Sequence, residues 1–148
     1  MGSSTKVSLH IPPDKHLIFF DGYCSLCNSS IDLVIKNDPE GKFVCESLQS
    51  RWAKEIVPPA LSDSIEHIVL RTKEGEILTK SEAVFFITKR LKGPVRLVRI
   101  FSFLPRILAD FFYDLIAKNR YKLFGKRNRC RVPTEQEKLR FLEGYQKP

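Results

Sequence analysis

The sequence lacks the long apolar segments that would place it inside a membrane. No window approaches the roughly 18 uncharged apolar residues that a membrane-spanning helix needs. The first residues, Met1–Thr5, also lack the apolar core of a secretory signal peptide. We therefore expect a protein without a transmembrane segment that stays in the cytoplasm.

Cysteine is also scarce, with four residues among 148: Cys24, Cys27, Cys45 and Cys130. This number and this uneven spacing exclude the disulfide scaffold of a small secreted domain. In a reducing compartment, a C-x-x-C pair is more often redox-active or metal-binding than structural. A zinc site needs four ligands, and the usual second C-x-x-C pair is absent. We therefore predict a redox pair without a metal or other cofactor, and a zinc site is the alternative.

Positive charge is concentrated in the second half of the chain. Residues 1–85 carry 9 Lys+Arg and 12 Asp+Glu, a net charge of −3. Residues 86–148 carry 16 Lys+Arg and 5 Asp+Glu, a net charge of +11. A solvated basic face or a docking surface for an acidic protein partner explains this charge better than a nucleic-acid-binding surface does.

Composition and length predict a single domain in three parts. Residues 1–14 form a flexible arm, residues 15–93 the core, and residues 94–148 a basic helical extension that packs on the core. The amphipathic residues 95–117 could instead lie on an anionic membrane. Packing against the core explains their apolar face more simply.

The most informative stretch runs from a predicted strand into a predicted helix. His16–Phe20 is a short apolar run, and Ile31–Ile35 has apolar residues at helical spacing. Cys24 and Cys27 therefore lie at a helix N-terminus, where unpaired N–H groups and the helix dipole stabilise a thiolate. Positions i and i+3 share a helix face, so the second thiol can attack a mixed disulfide formed by the first.

The remaining patterns predict the order β-α-β-α-β-β-α, followed by further helices. Thr79–Glu82 matches a capping box, and turn signals separate the other elements. The predicted elements are the strand Lys42–Glu46, the helix Ser47–Val57 capped by Ser47, the strands Ser64–Thr72 and Ile77–Leu78, and the helices Ser81–Leu91, Val95–Phe103 and Pro105–Arg120. This order predicts an α/β protein of the thioredoxin-like class, with a mixed four-stranded sheet and additional C-terminal helices.

Four segments resemble a known family in the same order. Asp21-Gly22-x-Cys24-x-x-Cys27 is similar to the signature of the DCC family of predicted thiol–disulfide oxidoreductases. Lys80–Ala83 resembles its K-S-D/E-A segment, Tyr113–Tyr121 resembles its Y-D-x-I-A-x-N-R-Y segment, and Cys130 is similar to its C-terminal end. The resemblance covers roughly residues 16–132, and it implies a thioredoxin-like fold and dithiol chemistry.

The chain differs from thioredoxin itself around the motif. Thioredoxin-like enzymes usually carry a cis-proline just before the third strand, whereas Pro58 and Pro59 lie several residues upstream of that point here. The dipeptide between the cysteines is Ser25-Leu26, without the Pro or His of better-known members. The sequence therefore leaves the substrate-docking surface undefined.

Each candidate site residue has a functional and a structural interpretation. We predict that Cys24 attacks and is the more exposed thiol, and that Cys27 is shielded. Asp21 carries a proton for Cys27 or caps the turn, and Gly22 provides a turn that only glycine can adopt. Tyr23 forms an aromatic wall beside the thiol or packs on the surface.

The other two cysteines have separate interpretations. Cys45 lies in an apolar strand and is predicted to be a core residue. Cys130 lies among basic residues that favour a thiolate, so it is a possible accessory thiol, although a structural role is the simpler reading.

These observations predict a cytoplasmic thiol–disulfide oxidoreductase. Its dithiol, Cys24 and Cys27, would exchange electrons with a thiol or disulfide of a protein or small molecule. The alternative is a non-enzymatic thioredoxin-like adaptor or a zinc-binding module.

Overall fold

A four-stranded mixed sheet lies at the centre of the protein, in a computed structural model that describes residues 11–59, 68–125, 134–135 and 138–142. Its strands are β1 (His16–Phe20), β2 (Phe43–Ser47), β3 (Val69–Arg71) and β4 (Ile77–Thr79). The α-helices of this part are α1 (Ser25–Asn37), α2 (Arg51–Ile56), α3 (Lys80–Arg90) and α4 (Arg106–Phe124). The 3₁₀ helices are Pro94–Phe103 and Lys138–Arg140. The predicted order and thioredoxin-like class are confirmed.

Strand β1 is the inner strand from which the site begins. The strand order is β2-β1-β3-β4, with β1 parallel to β2 and antiparallel to β3. All five residues of β1 are buried. An apolar run without alternation is typical of a strand covered on both faces. Helix α1 therefore starts at the carboxyl end of a fully buried strand, which fixes the position of the two cysteines.

The two faces of the sheet carry separate apolar clusters. Alternate β1 residues point to opposite faces, so Ile18 and Phe20 belong to one cluster while Leu17 and Phe19 belong to the other. The first cluster includes Ile31 of α1, and helices α1 and α3 cover it. These contacts hold the first helix, and with it the motif, against the sheet.

Three local predictions are wrong in detail. Strand β2 lies one residue later than predicted, and α2 begins at Arg51 with Ser50 as its cap, because Ser47 remains in β2. The Ser50 Oγ accepts the N–H of Ala53 at 3.1 Å. Thr79 is the N-cap of α3 but makes no side-chain capping bond.

The end of the described chain returns to the sheet. Phe141 forms a parallel bridge with Cys45 of β2, and Phe141 and Leu142 are buried in the two apolar clusters. Arg140 forms an ion pair with the buried Asp38, with 3.1 Å between Nη1 and Oδ2. The last part of the extension is therefore integrated into the core.

The extension between Gly93 and Gly125 packs through one face only. Helix α4 contacts α1 and α3, and it buries Ala109 and Arg120. Thirteen of the fourteen exposed large hydrophobic side chains in the described residues lie between Leu97 and Phe124. The expectation that packing on the core hides the apolar face of this segment is therefore wrong. No helix in the described part of the chain is long and apolar enough to cross a membrane.

Candidate active site

Cys24 and Cys27 lie where β1 leads into α1. Cys24 is the N-cap of α1 with an extended backbone, and its Sγ accepts a hydrogen bond from the N–H of Cys27 at 3.2 Å. Both residues are free thiols. The helix dipole and the donated N–H favour negative charge at the Cys24 sulfur. The geometry is that of a thiol pair held together at a helix start.

The exposure of the two thiols is the reverse of the prediction. Cys24 has an exposed fraction of 0%, whereas Cys27 is partly exposed. The reason is the capping geometry, because the Cys24 side chain turns over the first helical turn to reach the Cys27 N–H. Cys27 lies one turn later and borders a cavity between α1 and α4.

Cys27 is a poor acid in this environment. Burial is the largest cause that raises the pKa of Cys27, followed by the hydrogen bond to the Cys24 side chain and the charge of Cys24. Arg120 opposes this shift by its positive charge, and Asp21 adds to it. Cys27 therefore holds its proton more tightly than an ordinary thiol does.

Asp21 is buried and is bonded on both carboxylate oxygens. Its Oδ1 accepts the N–H of Tyr23 at 3.0 Å and the Nε2–H of Gln49 at 2.7 Å. Its Oδ2 lies 3.0 Å from Nη2 of Arg120 and accepts the hydroxyl of Tyr121. The bond from Tyr23 is the one that the turn-capping interpretation requires, and the proton-carrier role stays a prediction.

Gly22 and Asn28 complete the turn that holds the thiols. The Gly22 N–H donates to Oε1 of Gln49 at 3.0 Å. Asn28 donates from Nδ2 to the carbonyls of Gly22 at 2.9 Å and Cys24 at 2.8 Å. Gly22 does not have a positive φ, so the expectation of a conformation reserved for glycine is wrong. Tyr23 is half-buried, and its contribution to the turn is the N–H bond to Asp21.

Sequence reasoning missed Arg120, Tyr121, Gln49 and Asn28 as site residues. Arg120 is buried in α4, and the charge of Asp21 helps to raise its pKa. Burial, the largest contribution, acts to lower that pKa, but it is outweighed by the hydrogen bond to Tyr121 and the neighbouring negative groups. A signal was present, because Arg120 and Tyr121 end the segment that resembles the DCC family. The sequence alone did not show that these two residues contact Asp21.

The other resembling segment meets the same helix. Ser81 donates from its backbone N–H at 3.3 Å and from its hydroxyl to Oδ1 of Asp110. Lys80 pairs with Asp114, with 3.3 Å between Nζ and Oδ2. Helix α4 therefore connects the Lys80–Ala83 segment with the motif loop.

An apolar cavity of about 300 Å³ opens beside Cys27. Helices α1, α3 and α4 and the first 3₁₀ helix form its walls, with Leu26, Val84, Ile87, Val98 and Ile116 among the lining residues. Tyr113 also lines it, accepts the N–H of Ile68 at 2.8 Å, and has a pKa raised to about 12, chiefly by burial. The cavity offers a mainly apolar surface next to a thiol.

Other features of the prediction have separate outcomes. Cys45 is buried in β2, as predicted. Cys130 lies outside the described residues. Among the described residues, no group of three or more His, Cys, Asp or Glu side chains is placed to hold a metal ion. The peptide bonds described in the structure are all trans, and Ile68 occupies the position directly before β3.

Comparison with known proteins assigns the chain to a family. The sequence model described as DCC1-like thiol–disulfide oxidoreductase matches residues 18–126. The chain belongs to this family. Within the DCC1-like family it is 38% identical over 130 residues to the uncharacterised protein YuxK of Bacillus subtilis, covering 86% of this chain and 94% of YuxK. It is 33% identical over 121 residues to a chloroplastic DCC family protein of Arabidopsis thaliana, covering 80% and 70% of the two chains. No solved structure matches the chain significantly.

The family match and the site coincide. The DCC1-like match spans both the motif loop and α4, so it includes both partners of the Asp21–Arg120 pair. The Asp and the two Cys residues of the motif therefore lie in one turn, and Asp21 pairs with Arg120 near the other end of the matched region.

Proposed function

We propose that this protein exchanges electrons between its Cys24–Cys27 dithiol and a thiol or disulfide substrate. The observation that carries the proposal is the N-cap geometry, in which the Cys24 sulfur accepts the Cys27 N–H at 3.2 Å. A thiolate is the nucleophile in disulfide exchange, and a helix N-terminus is where thiolates form most readily. The family assignment supports the same chemistry.

The reaction has two displacement steps. The Cys24 thiolate attacks one sulfur of a substrate RS–SR′, which forms a Cys24–SR mixed disulfide and releases R′S⁻. The Cys27 sulfur then attacks Sγ of Cys24, the Cys27 proton passes to the released thiolate, and RS⁻ leaves. One dithiol and one disulfide thereby become one protein disulfide and two reduced thiols.

The environment of each thiol fits its step. The raised pKa of Cys27 keeps this residue protonated until the mixed disulfide has formed, so the two thiols do not compete in the first step. Cys24 is fully buried, so the first attack requires a local displacement of the Gly22–Cys24 turn. Local opening of a loop costs less free energy than global unfolding does.

Reduction of insulin or of a small disulfide by wild-type protein and by Cys24→Ser tests the proposal. We expect wild-type activity and a loss of activity in Cys24→Ser. Cys45→Ala is the matched control, because it removes a thiol from the core and leaves the motif intact. Cys27→Ser should accumulate mixed disulfides at Cys24. Equal rates in wild type and Cys24→Ser would exclude Cys24 from the reaction.

We further propose that Asp21 is a positioning residue that acts through Cys27. Its charge is one cause of the raised pKa of Cys27, so Asp21→Asn should shift the pH dependence of Cys27 alkylation to lower pH. A purely structural role would change the stability and leave this pH profile in place. Asn also keeps an oxygen that can accept the Tyr23 N–H, which limits damage to the turn.

The proposed compartment is the cytoplasm, where the pair would act as a reductant. Cys24 and Cys27 are free thiols, which is the form in which a dithiol acts as a reductant. The reduction potential against glutathione tests the direction, because 30 mV corresponds to about 1.4 kcal/mol for a two-electron couple. A potential well above that of the cytoplasmic glutathione pool would instead favour an oxidant.

A further inference from the structure

We propose that the exposed apolar face of the 3₁₀ helix Pro94–Phe103 and of α4 binds the surface of a membrane that contains anionic lipids. This surface, the outer face, consists of large apolar side chains that point to solvent. Ile107 is 87% exposed and Phe103 is 76% exposed. Exposed apolar groups of this extent are typical of interaction surfaces in globular proteins.

On α4 the outer face is continuous. Ile107, Phe111 and Leu115 follow at intervals of four residues, and Leu108, Phe112 and Ile116 repeat the interval one position later. Residues four apart are neighbours on a helix surface, so these two rows form one apolar stripe. All six side chains are exposed, while Ala109 and Arg120 on the opposite side are buried. The core therefore uses one side of α4 and leaves the other uncovered.

Basic residues border this stripe. Arg96, Lys118 and Lys122 are exposed, and none of them forms an ion pair with another described residue. Lys118 and Lys122 follow Leu115 at i+3 and i+7, on the same side of the helix. Residues 94–125 contain six Arg or Lys and two Asp, and no Glu.

The two acidic residues do not neutralise the outer face. Asp110 accepts hydrogen bonds from Ser81 and pairs with Arg106 at 3.6 Å, and Asp114 pairs with Lys80 at 3.3 Å. Both carboxylates are therefore engaged with groups of α3 or of the first turn of α4. The outer face combines apolar side chains with uncompensated positive charge, which is the pattern of a helix that lies in the interface of an anionic membrane.

Charge separates this occupant from a second copy of the chain. A two-fold interface places the same surface of both copies against each other. The basic stripe would then face another basic stripe, with no carboxylate on either one to pair with Lys118 or Lys122. Anionic lipid headgroups supply the missing negative charge. Because no described helix can span the bilayer, the binding is peripheral.

This position would bring the thiol site close to the lipid. Val98 and Ile116, from the two elements that carry the outer face, also line the cavity that Cys27 borders. The lipid surface and the cavity are therefore separated only by the thickness of these elements. The proposal does not depend on thiol exchange, and Cys24→Ser should bind vesicles as the wild type does.

Co-sedimentation of the full chain with phosphatidylcholine vesicles, with and without about a third phosphatidylglycerol, tests the proposal. We expect binding to the anionic vesicles that weakens at high salt and is at least about tenfold weaker without phosphatidylglycerol. The double variants Ile107→Ser/Phe111→Ser and Lys118→Glu/Lys122→Glu should each reduce binding about tenfold. Their exposed positions allow the fold to persist, which circular dichroism checks.

The matched control for the change of charge is Lys36→Glu/Lys54→Glu, at exposed positions of α1 and α2 that do not line the cavity. It should bind vesicles like the wild type. No binding to anionic vesicles, or equal losses in the control and the two test variants, would overturn the proposal. Light scattering measures the oligomeric state. A dimer that Ile107→Ser/Phe111→Ser converts to a monomer would show that a second copy covers this face, and it would overturn the proposal.

Discussion

Replacing Arg120 with methionine tests whether the buried Asp21–Arg120 ion pair holds the motif loop in place. The two side chains are 1% and 7% exposed, with 3.0 Å between Oδ2 of Asp21 and Nη2 of Arg120. Methionine preserves much of the side-chain volume and removes the charge. The variant therefore leaves the Asp21 carboxylate buried without its cationic partner.

The burial sets the size of the expected effect. Removing one partner of a buried ion pair typically costs about 3–5 kcal/mol, because an uncompensated charge remains in the interior. Arg106 provides the comparison, since its pairs with Glu82 and Asp110 are 68% exposed on the arginine side. Exposed pairs contribute about 0–1 kcal/mol. Arg120→Met should therefore reduce the free energy of unfolding several times more than Arg106→Met.

Urea unfolding at pH 7, followed by circular dichroism, measures this difference. The double variant Asp21→Asn/Arg120→Met completes the cycle. It should recover much of the lost stability, because it leaves no unpaired buried charge. Thiol reactivity in the same samples reports on the loop, and Cys24 should react faster with iodoacetamide in Arg120→Met than in the wild type.

Two results would refute the reasoning. One is a loss in Arg120→Met no larger than the loss in Arg106→Met. The other is simple additivity of Asp21→Asn and Arg120→Met, which would show that the two residues do not act as a pair. Either result would mean that contacts other than this pair determine the conformation of the motif loop.

Three further predictions concern single sites. Burial lowers the pKa of His16, whose Nδ1 accepts the N–H of Lys73, so the stability should fall as the pH drops below 6.5. His16→Phe should flatten this dependence in thermal melts between about pH 5.5 and 7.5. Cys27 in Cys24→Ser should be alkylated at lower pH than in wild type but still at higher pH than an exposed thiol, because burial remains. Val84→Trp should fill the cavity and slow the reduction of bulky apolar disulfides more than that of hydroxyethyl disulfide.

A slope of stability against pH that His16→Phe leaves unchanged would contradict the lowered pKa of His16. The cavity prediction has a matched control. Leu97→Trp adds the same bulk on an exposed position that does not line the cavity, and it should not change the disulfide preference. A wild-type Cys27 that reacts as readily as an exposed thiol would contradict its raised pKa.

Local patterns were sufficient for the elements that lead to the site. His16–Phe20 and the helix ending at Asn37 were predictable because a buried strand and an amphipathic helix leave distinct spacings in the sequence. The start of α2 was not, because Ser47 and Ser50 are equally good caps and the pairing of β2 decides between them. The pairing of a strand depends on the whole sheet, so the local sequence does not reveal it.

The candidate site was predictable only in part. The motif identified Cys24 and Cys27 and their place at a helix start, but not which thiol is exposed. That depends on the direction of one side chain, which the Cys27 N–H determines. The partner of Asp21 is 99 residues away in the sequence, so no periodicity could connect them. The capping box at Thr79–Glu82 failed for a similar reason, because Ser81 bonds to Asp110 of a distant helix.

The same distance has a consequence for the order of events during synthesis. At roughly 5 to 20 residues per second, Arg120 is made about 5 to 20 s after Asp21. Throughout this interval the nascent chain carries both cysteines without the helix that locks their loop. Oxidants or metal ions that meet the ribosome-bound chain therefore encounter the same two thiols in a loop that is not yet fixed by α4. The motif loop is therefore made well before the helix that fixes its final conformation.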